Sequence, residues 1–146
     1  MNSRITAIDD ADLLLIIGSN IRVDAPVLNA RIRRNVKQGL DVFTVGPSPD
    51  LGYNYEHIGS TTQTLIDLAN GSHPFCQKLK NAELPMVVVG AGNLSRQDGE
   101  ALLATVQQIC LDNGVIDKEK GWNGFNILHT EASRAGLLDL GIAPYN

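Results

Sequence analysis

Three short stretches of small and amide residues have the make-up of a phosphate or dinucleotide site: Gly18-Ser19-Asn20, Gly46-Pro47 and Gly90-Ala91-Gly92-Asn93. Glycines let a backbone approach a phosphate closely, and a helix that opens just beyond them supplies N–H donors. The same stretches have a plain structural use, because a turn from strand to helix needs small residues to change direction. Gly90-x-Gly92 lacks the third glycine of the dinucleotide fingerprint, and Ser95 stands in its place. The candidate cofactor-binding residues are Gly18, Ser19, Asn20, Gly90, Gly92 and Asn93.

Other chemistry is thinly supplied. His73 and Cys76 have a metal-like spacing, but two ligands do not make a zinc site, which takes four. Cys76 and Cys110 are the only cysteines, and an iron–sulfur cluster needs about four. His129 precedes Thr130-Glu131 at the end of an apolar run, where a turn residue and a catalyst are both conceivable. No Ser–His–Asp order and no paired carboxylates accompany it. Cys110 falls on the apolar stripe of a helix and reads as core. Trp122, bordered by Gly121 and Gly124, reads either as an exposed partner contact or as a plug at the sheet's edge, and Tyr53 and Tyr55 share both readings. The segment is therefore expected to hold no catalytic residue and no metal.

The elements that would position these residues alternate from end to end. Leu13–Ile17 is a continuous apolar run of the kind buried on both faces of a parallel sheet. Asp24, one residue before Ala25-Pro26, reads as the N-cap of a helix with Leu28, Ile32 and Val36 on its apolar face. Arg31, Arg33, Arg34 and Lys37 fall in the second half of that helix, where cations favour the C-terminus, and Gly39 stops it. Val42–Val45 is the second strand, and the polar-aromatic stretch from Ser48 to Gly59 reads as a loop. A helix follows from about Thr61 to Asn70, with Leu65, Leu68 and Ala69 inward, and Pro74–Leu79 adds a short one. Met86–Val89 is the third strand. Ser95 and Asp98 resemble a capping box before a helix that carries Leu102, Val106, Ile109 and Cys110 and ends at Gly114. Asn126–Leu128 is a fourth strand and Glu131–Leu138 a short last helix, weakened by Gly136. This alternation predicts an α/β fold of Rossmann or flavodoxin-like type: a doubly wound parallel sheet of about four strands with helices on both faces. The expected strand order is 2-1-3-4. Its switch point, where ligands bind, lies between the first and third strands.

Composition narrows the partners. The 146 residues fit one domain, and 43% hydrophobic against 19% charged residues marks a globular chain. A net charge of −4 argues against nucleic acid or an anionic membrane as partner. No apolar run approaches the ~20 residues of a spanning helix, and the N-terminus does not read as a signal peptide. Two widely separated cysteines read as reduced thiols of a cytosolic protein.

Several stretches then carry a resemblance. Ala25-Pro26-Val27-Leu28-Asn29-Ala30-Arg31-Ile32-Arg33, Tyr55-Glu56-His57-Ile58-Gly59, Gly71-Ser72-His73-Pro74-Phe75 and Pro85-Met86-Val87-Val88-Val89-Gly90 resemble the large iron–sulfur subunit of NADH–quinone oxidoreductase, respiratory complex I. Trp122-Asn123-Gly124-Phe125-Asn126-Ile127-Leu128-His129, Ala132-Ser133-Arg134 and Leu138-Asp139-Leu140-Gly141 continue it, so the likeness runs in order along essentially the whole chain.

The resemblance implies a longer subunit whose N-terminal part holds the iron–sulfur clusters, with none in this segment. Its C-terminal part resembles the molybdopterin oxidoreductases, where a pterin–guanine dinucleotide lies against α/β domains. Those enzymes commonly carry Gly-x-Asn-Pro after the first strand; here Gly18 and Asn20 match and Ile21 replaces the proline. The expected role is a scaffold that holds the rest of the subunit and other peripheral-arm subunits. It would sit on the cytoplasmic face of a bacterial inner membrane or the mitochondrial matrix side, without inserting into the bilayer. Met1-Asn2-Ser3 and Pro144-Tyr145-Asn146 read as the ends of an excised segment, which would leave apolar contact surface exposed. A module with a vestigial or real dinucleotide site is the alternative. A free-standing flavodoxin-like enzyme is a third reading, and it lacks a catalytic constellation.

Overall fold

A computed structural model describes residues 2–131 and 133–142 of the chain. Its centre is β1 (Leu13–Ile17), whose five apolar residues are all buried. It pairs in parallel with β2 (Asp41–Val45) on one side and β4 (Pro85–Gly90) on the other, with Leu13 opposite both Asp41 and Pro85. Alternate side chains of one apolar run serve two cores, as the two-residue repeat of a strand requires. Leu13, Leu15 and Ile17 face one core with Val87 and Val89; Leu14 and Ile16 face the other with Met86 and Val88.

The full sheet has five parallel strands in the order β3-β2-β1-β4-β7, where β3 is Glu56–Gly59 and β7 is Phe125–Leu128. This contains the expected order and adds one strand, so the reading of Ser48–Gly59 as a loop is corrected at its last four residues. The edge position explains the difference. A strand that pairs on one side only does not need an apolar run, and Glu56 and His57 are exposed. A two-stranded antiparallel ribbon, β5 (Ile116–Asp117) with β6 (Trp122–Asn123), is a second addition; at two residues each, its strands show no periodicity.

The helices divide between the faces. The four-residue α1 (Ile21–Asp24) and α2 (Pro26–Val36) cover one core through Ile21, Leu28 and Ile32. The β2–β3 connection crosses the same face without a helix, burying Leu51 and packing Tyr53 and Tyr55 there. Helices α3 (Thr62–Ala69), α4 (Phe75–Asn81) and α5 (Gly99–Asp112) cover the other core with Leu65, Leu68, Phe75, Leu79, Leu102, Val106 and Ile109. The last helix, α6 (Arg134–Asp139), starts about three residues later than expected. Within the compared stretches, Ala132 lies outside the described residues, as do Met1 and the 143–146 end.

Two caps differ from expectation. Ala25, not Asp24, occupies the cap position of α2. Asp24 belongs to α1 and turns its carboxylate back on the preceding turn, accepting the Ser19 hydroxyl at 2.7 Å and the Asn20 N–H at 3.1 Å. Ser95 ends a 3-10 turn (Ala91–Ser95), and α5 opens only at Gly99. Asp98 makes no capping bond; it forms a bidentate pair with Arg96 at 2.7 and 2.8 Å instead, because a neighbouring guanidinium outcompetes a neutral backbone N–H for a carboxylate.

The N-terminal segment is clipped to the outer edge of β7. Asn126 is fully buried; its Oδ1 accepts the Ser3 N–H at 3.0 Å, and its amide donates to Ser3 Oγ at 2.8 Å and to the Gly124 carbonyl at 3.1 Å. Asn2 donates to the Phe125 carbonyl at 2.9 Å. The Asn2 bond occupies a backbone carbonyl of β7 of the kind that an open edge strand leaves free.

Candidate cofactor crevice at the carboxyl edge of the sheet

Strand β1 leads to α2 on one face and β4 leads to α5 on the other, so the chain diverges between the carboxyl ends of β1 and β4. That divergence makes the crevice in which doubly wound sheets take their ligands. The fold brings together there the turn after β1 (Gly18, Ser19, Asn20) and the turn after β4 (Gly90, Gly92, Asn93).

The contents of the crevice are protein. The Asn93 amide nitrogen donates to the carbonyls of Ile17 at 3.2 Å, Gly18 at 3.1 Å and Gly90 at 3.0 Å. Two hydrogens thus serve three carbonyls at the ends of the two central strands. Gly18 has φ of +59°, a conformation that suits glycine, and a Cβ on it would overlap the Asn93 carboxamide. A Cβ on Gly90 would come within 2.6 Å of the Gly18 carbonyl oxygen and 2.9 Å of Ser19 Cβ. The two turns touch backbone to backbone, and the glycines are needed for that approach. Gly92 has open space around it. Asn20 Oδ1 is buried without a donor among the described residues. The cavity left beside Asn93, Gly18 and Gly46 measures about 90 Å³, well below the roughly 300 Å³ at which small-molecule pockets begin.

The other singled-out residues are dispersed. His73 Nδ1 accepts the Phe75 N–H at 3.1 Å, and the Cys76 thiol donates to the Leu68 carbonyl at 3.4 Å, so one shapes a turn and the other fills core. Among the described residues no group of three or more His, Cys, Asp or Glu is placed to hold a metal. Burial pushes the Cys110 thiol up to about 12, which keeps it protonated. His129 stands just past β7; burial, with the Arg134 cation near it, holds its pKa below the usual value. Trp122 is half-buried and donates its indole N–H to the Pro85 carbonyl at 2.8 Å, which makes it a plug beside β4. Tyr55 donates to the Pro49 carbonyl at 2.6 Å, whereas the Tyr53 hydroxyl is buried without a partner among the described residues.

A surface concavity of about 590 Å³ lies between α2 and the Leu51-Gly52 turn, and it is lined by Arg33 and Lys37, two cations whose spacing pointed only to a helix C-terminus. The folding-back of the β2–β3 connection makes that concavity, and local spacing holds no trace of it.

The sheet order and the divergence between β1 and β4 define a doubly wound α/β domain. The model of the family described as molybdopterin oxidoreductase matches residues 1–146, and the chain belongs to that family. Its curated relatives are more particular. The chain is 44% identical over 142 residues to the NADH-ubiquinone oxidoreductase 75 kDa subunit of Reclinomonas americana, a match covering 97% of this chain and 20% of that protein. It is 42% identical over 145 residues to the mitochondrial NADH dehydrogenase (ubiquinone) iron-sulfur protein 1 of Solanum tuberosum, covering 99% and 19%. It is 41% identical over 145 residues to a NADH-quinone oxidoreductase subunit of Rickettsia typhi, covering 96% and 21%. The chain spans about a fifth of the length of the curated relatives it matches.

The family's cofactor gives the crevice a test. A pterin–guanine dinucleotide needs the backbone of the first turn to be approachable, and here the Asn93 carboxamide occupies that approach. As folded, the crevice does not accommodate the group.

Proposed function

We propose that these residues form an architectural segment of the large iron–sulfur subunit of a NADH–quinone oxidoreductase. The observation that carries the reading is the 41–44% identity to such subunits over nearly the whole chain. Electrons would pass from NADH to quinone through clusters elsewhere in the subunit. Two cysteines, both buried, support a segment without a cluster of its own. A crevice filled by Asn93 supports a segment that has given up its dinucleotide. Its partners would be the rest of the same subunit and other peripheral-arm subunits, on the bacterial cytoplasmic or mitochondrial matrix side. No described helix is long and apolar enough to cross a membrane.

The test is the native mass of the polypeptide that contains the segment. Source membranes are solubilised, fractionated and probed with an antibody to these residues. A polypeptide several-fold above 15.7 kDa that co-fractionates with NADH–quinone activity supports the reading. A species near 15.7 kDa, apart from that activity, contradicts it.

A second reading has its own observation. Open space surrounds Gly92 in the turn after β4, and a nucleotide would enter there, beside Gly18, Ser19, Asn20 and Gly90, only if the Asn93 carboxamide swung off Gly18. Calorimetric titration with a guanine dinucleotide separates the two: measurable heat favours a nucleotide module, and none favours the scaffold.

A further inference from the structure

We propose that the concavity over α2 docks an acidic segment of the same longer polypeptide, outside the 146 residues of this chain. The inference rests on the reading of the chain as one part of a larger subunit, and its test is separable from that reading.

The charge balance is the first observation. The chain as a whole is negative, yet Arg22, Arg31, Arg33, Arg34 and Lys37 gather on α1 and α2 and just past them. Among the described residues they meet two carboxylates within ion-pair distance: Asp50, which pairs with Arg22 at 2.5 Å, and Asp9, shared by Arg31 and by Arg34 at 2.8 Å. Arg33 and Lys37 have no carboxylate partner among the described residues, and both line the concavity. Neighbouring like charges repel, so this face is most stable when something anionic sits on it.

The second observation selects a polypeptide over a free anion. Exposed Pro26 and Ala30 line the concavity itself, and Val23 at 71% exposure and Val27 at 82% adjoin its lining residues Arg22 and Pro26 in sequence. An inorganic phosphate makes no use of exposed valines, whereas a protein segment can cover them while its carboxylates reach the cations. Asn29, 7% exposed, also lines the concavity; it donates to the Leu51 carbonyl at 3.0 Å, which ties α2 to the opposite wall.

The third observation is the source. The matched relatives are about five times as long as this chain, so most of such a polypeptide lies elsewhere. A tethered segment meets the concavity at the high effective concentration of an intramolecular contact and binds without the cost of a separate encounter.

The experiment is zero-length cross-linking of the native membrane-extracted assembly with a water-soluble carbodiimide, which joins an amine to a carboxylate in contact with it. The expected result is Lys37 joined to an Asp or Glu of the same polypeptide outside these residues. Acylation of Lys37 should also be at least tenfold slower in the native assembly than in the urea-unfolded chain. Lys37 acylated as fast in the assembly as in urea overturns the proposal, and so does a cross-link only to another subunit or to a second copy. In the full-length subunit, R33E with K37E should weaken incorporation into the assembly. R33K with K37R keeps the charge and should retain incorporation. Equal incorporation of both pairs also overturns the proposal. If the polypeptide proves not to accompany NADH–quinone activity while Lys37 still links to its own remote carboxylates, the docking stands and the reading of the subunit falls.

Discussion

The amide nitrogen of Asn93 lies 3.1 Å from the carbonyl oxygen of Gly18, across the seam between the two central strands. One side chain thereby ties β1 to β4 at the point where a ligand would enter. Asn93→Ala leaves three carbonyls short of a donor and should lower stability by about 1–3 kcal/mol. Gly18→Ala adds a Cβ into Asn93 at a left-handed backbone and costs about 1–2 kcal/mol for the conformation alone. Because the overlap vanishes when Asn93 is already Ala, the double variant should lose less than the sum of the two. Urea unfolding of all four proteins reads the difference, and strict additivity would show that the two residues are not coupled.

Tyr53 should respond in the opposite direction to most core substitutions. Its hydroxyl is buried with no partner among the described residues, so the folded state forfeits a bond that water supplies in the unfolded chain. Tyr53→Phe should therefore be neutral or raise stability by up to about 1 kcal/mol. A thermal melt showing a loss above that size would mean the hydroxyl has a partner after all.

Stability should fall in alkali. The folded Cys110 thiol, near 12, keeps a proton that an unfolded thiol near 9.0 gives up. Its contribution is fully present below pH 9 and declines toward pH 12, at up to about 1.4 kcal/mol per pH unit. Burial raises the Tyr53 phenol in the same sense, beginning near its ordinary value of 10.0. Cys110→Ala should flatten the decline between pH 9 and 10, whereas Tyr53→Phe should flatten it only above. Parallel curves for Cys110→Ala and the parent chain would refute the assignment.

Asn126 should control the N-terminal segment. Its carboxamide holds Ser3 by both backbone and side chain, so Asn126→Ala should free residues 2–3 from β7 and cost about 2–3 kcal/mol. Hydrogen exchange at the Ser3 amide should accelerate at least tenfold in the variant. An unchanged rate would place the anchor elsewhere.

The centre of the fold was readable because burial on both faces leaves a mark: Leu13–Ile17 and Met86–Val89 can be little else than central parallel strands. The edge leaves no such mark: Glu56–Gly59 reads as loop because its exposed half is polar. Capping misled where a carboxylate found a stronger local partner, as Asp98 did in Arg96. At the crevice, the types and the edge were readable in Gly18, Asn20, Gly90 and Asn93. The direction of the Asn93 side chain was not, because a glycine-rich turn looks the same whether a phosphate or a protein amide fills it. The basic concavity was beyond reach for a related reason: Arg33 and Lys37 lie close together in sequence, but the opposite wall comes from residues 51–52, some fifteen positions on.

If protein, and not a pterin, fills the switch-point crevice, the purified native subunit should carry no cofactor there. The most direct measurement is its molybdenum and pterin content, by elemental mass spectrometry and by fluorescence after oxidative release. Neither is expected at a meaningful fraction of one per polypeptide. A stoichiometric pterin would contradict the filled crevice, and would require Asn93 to swing out of the space that it closes here.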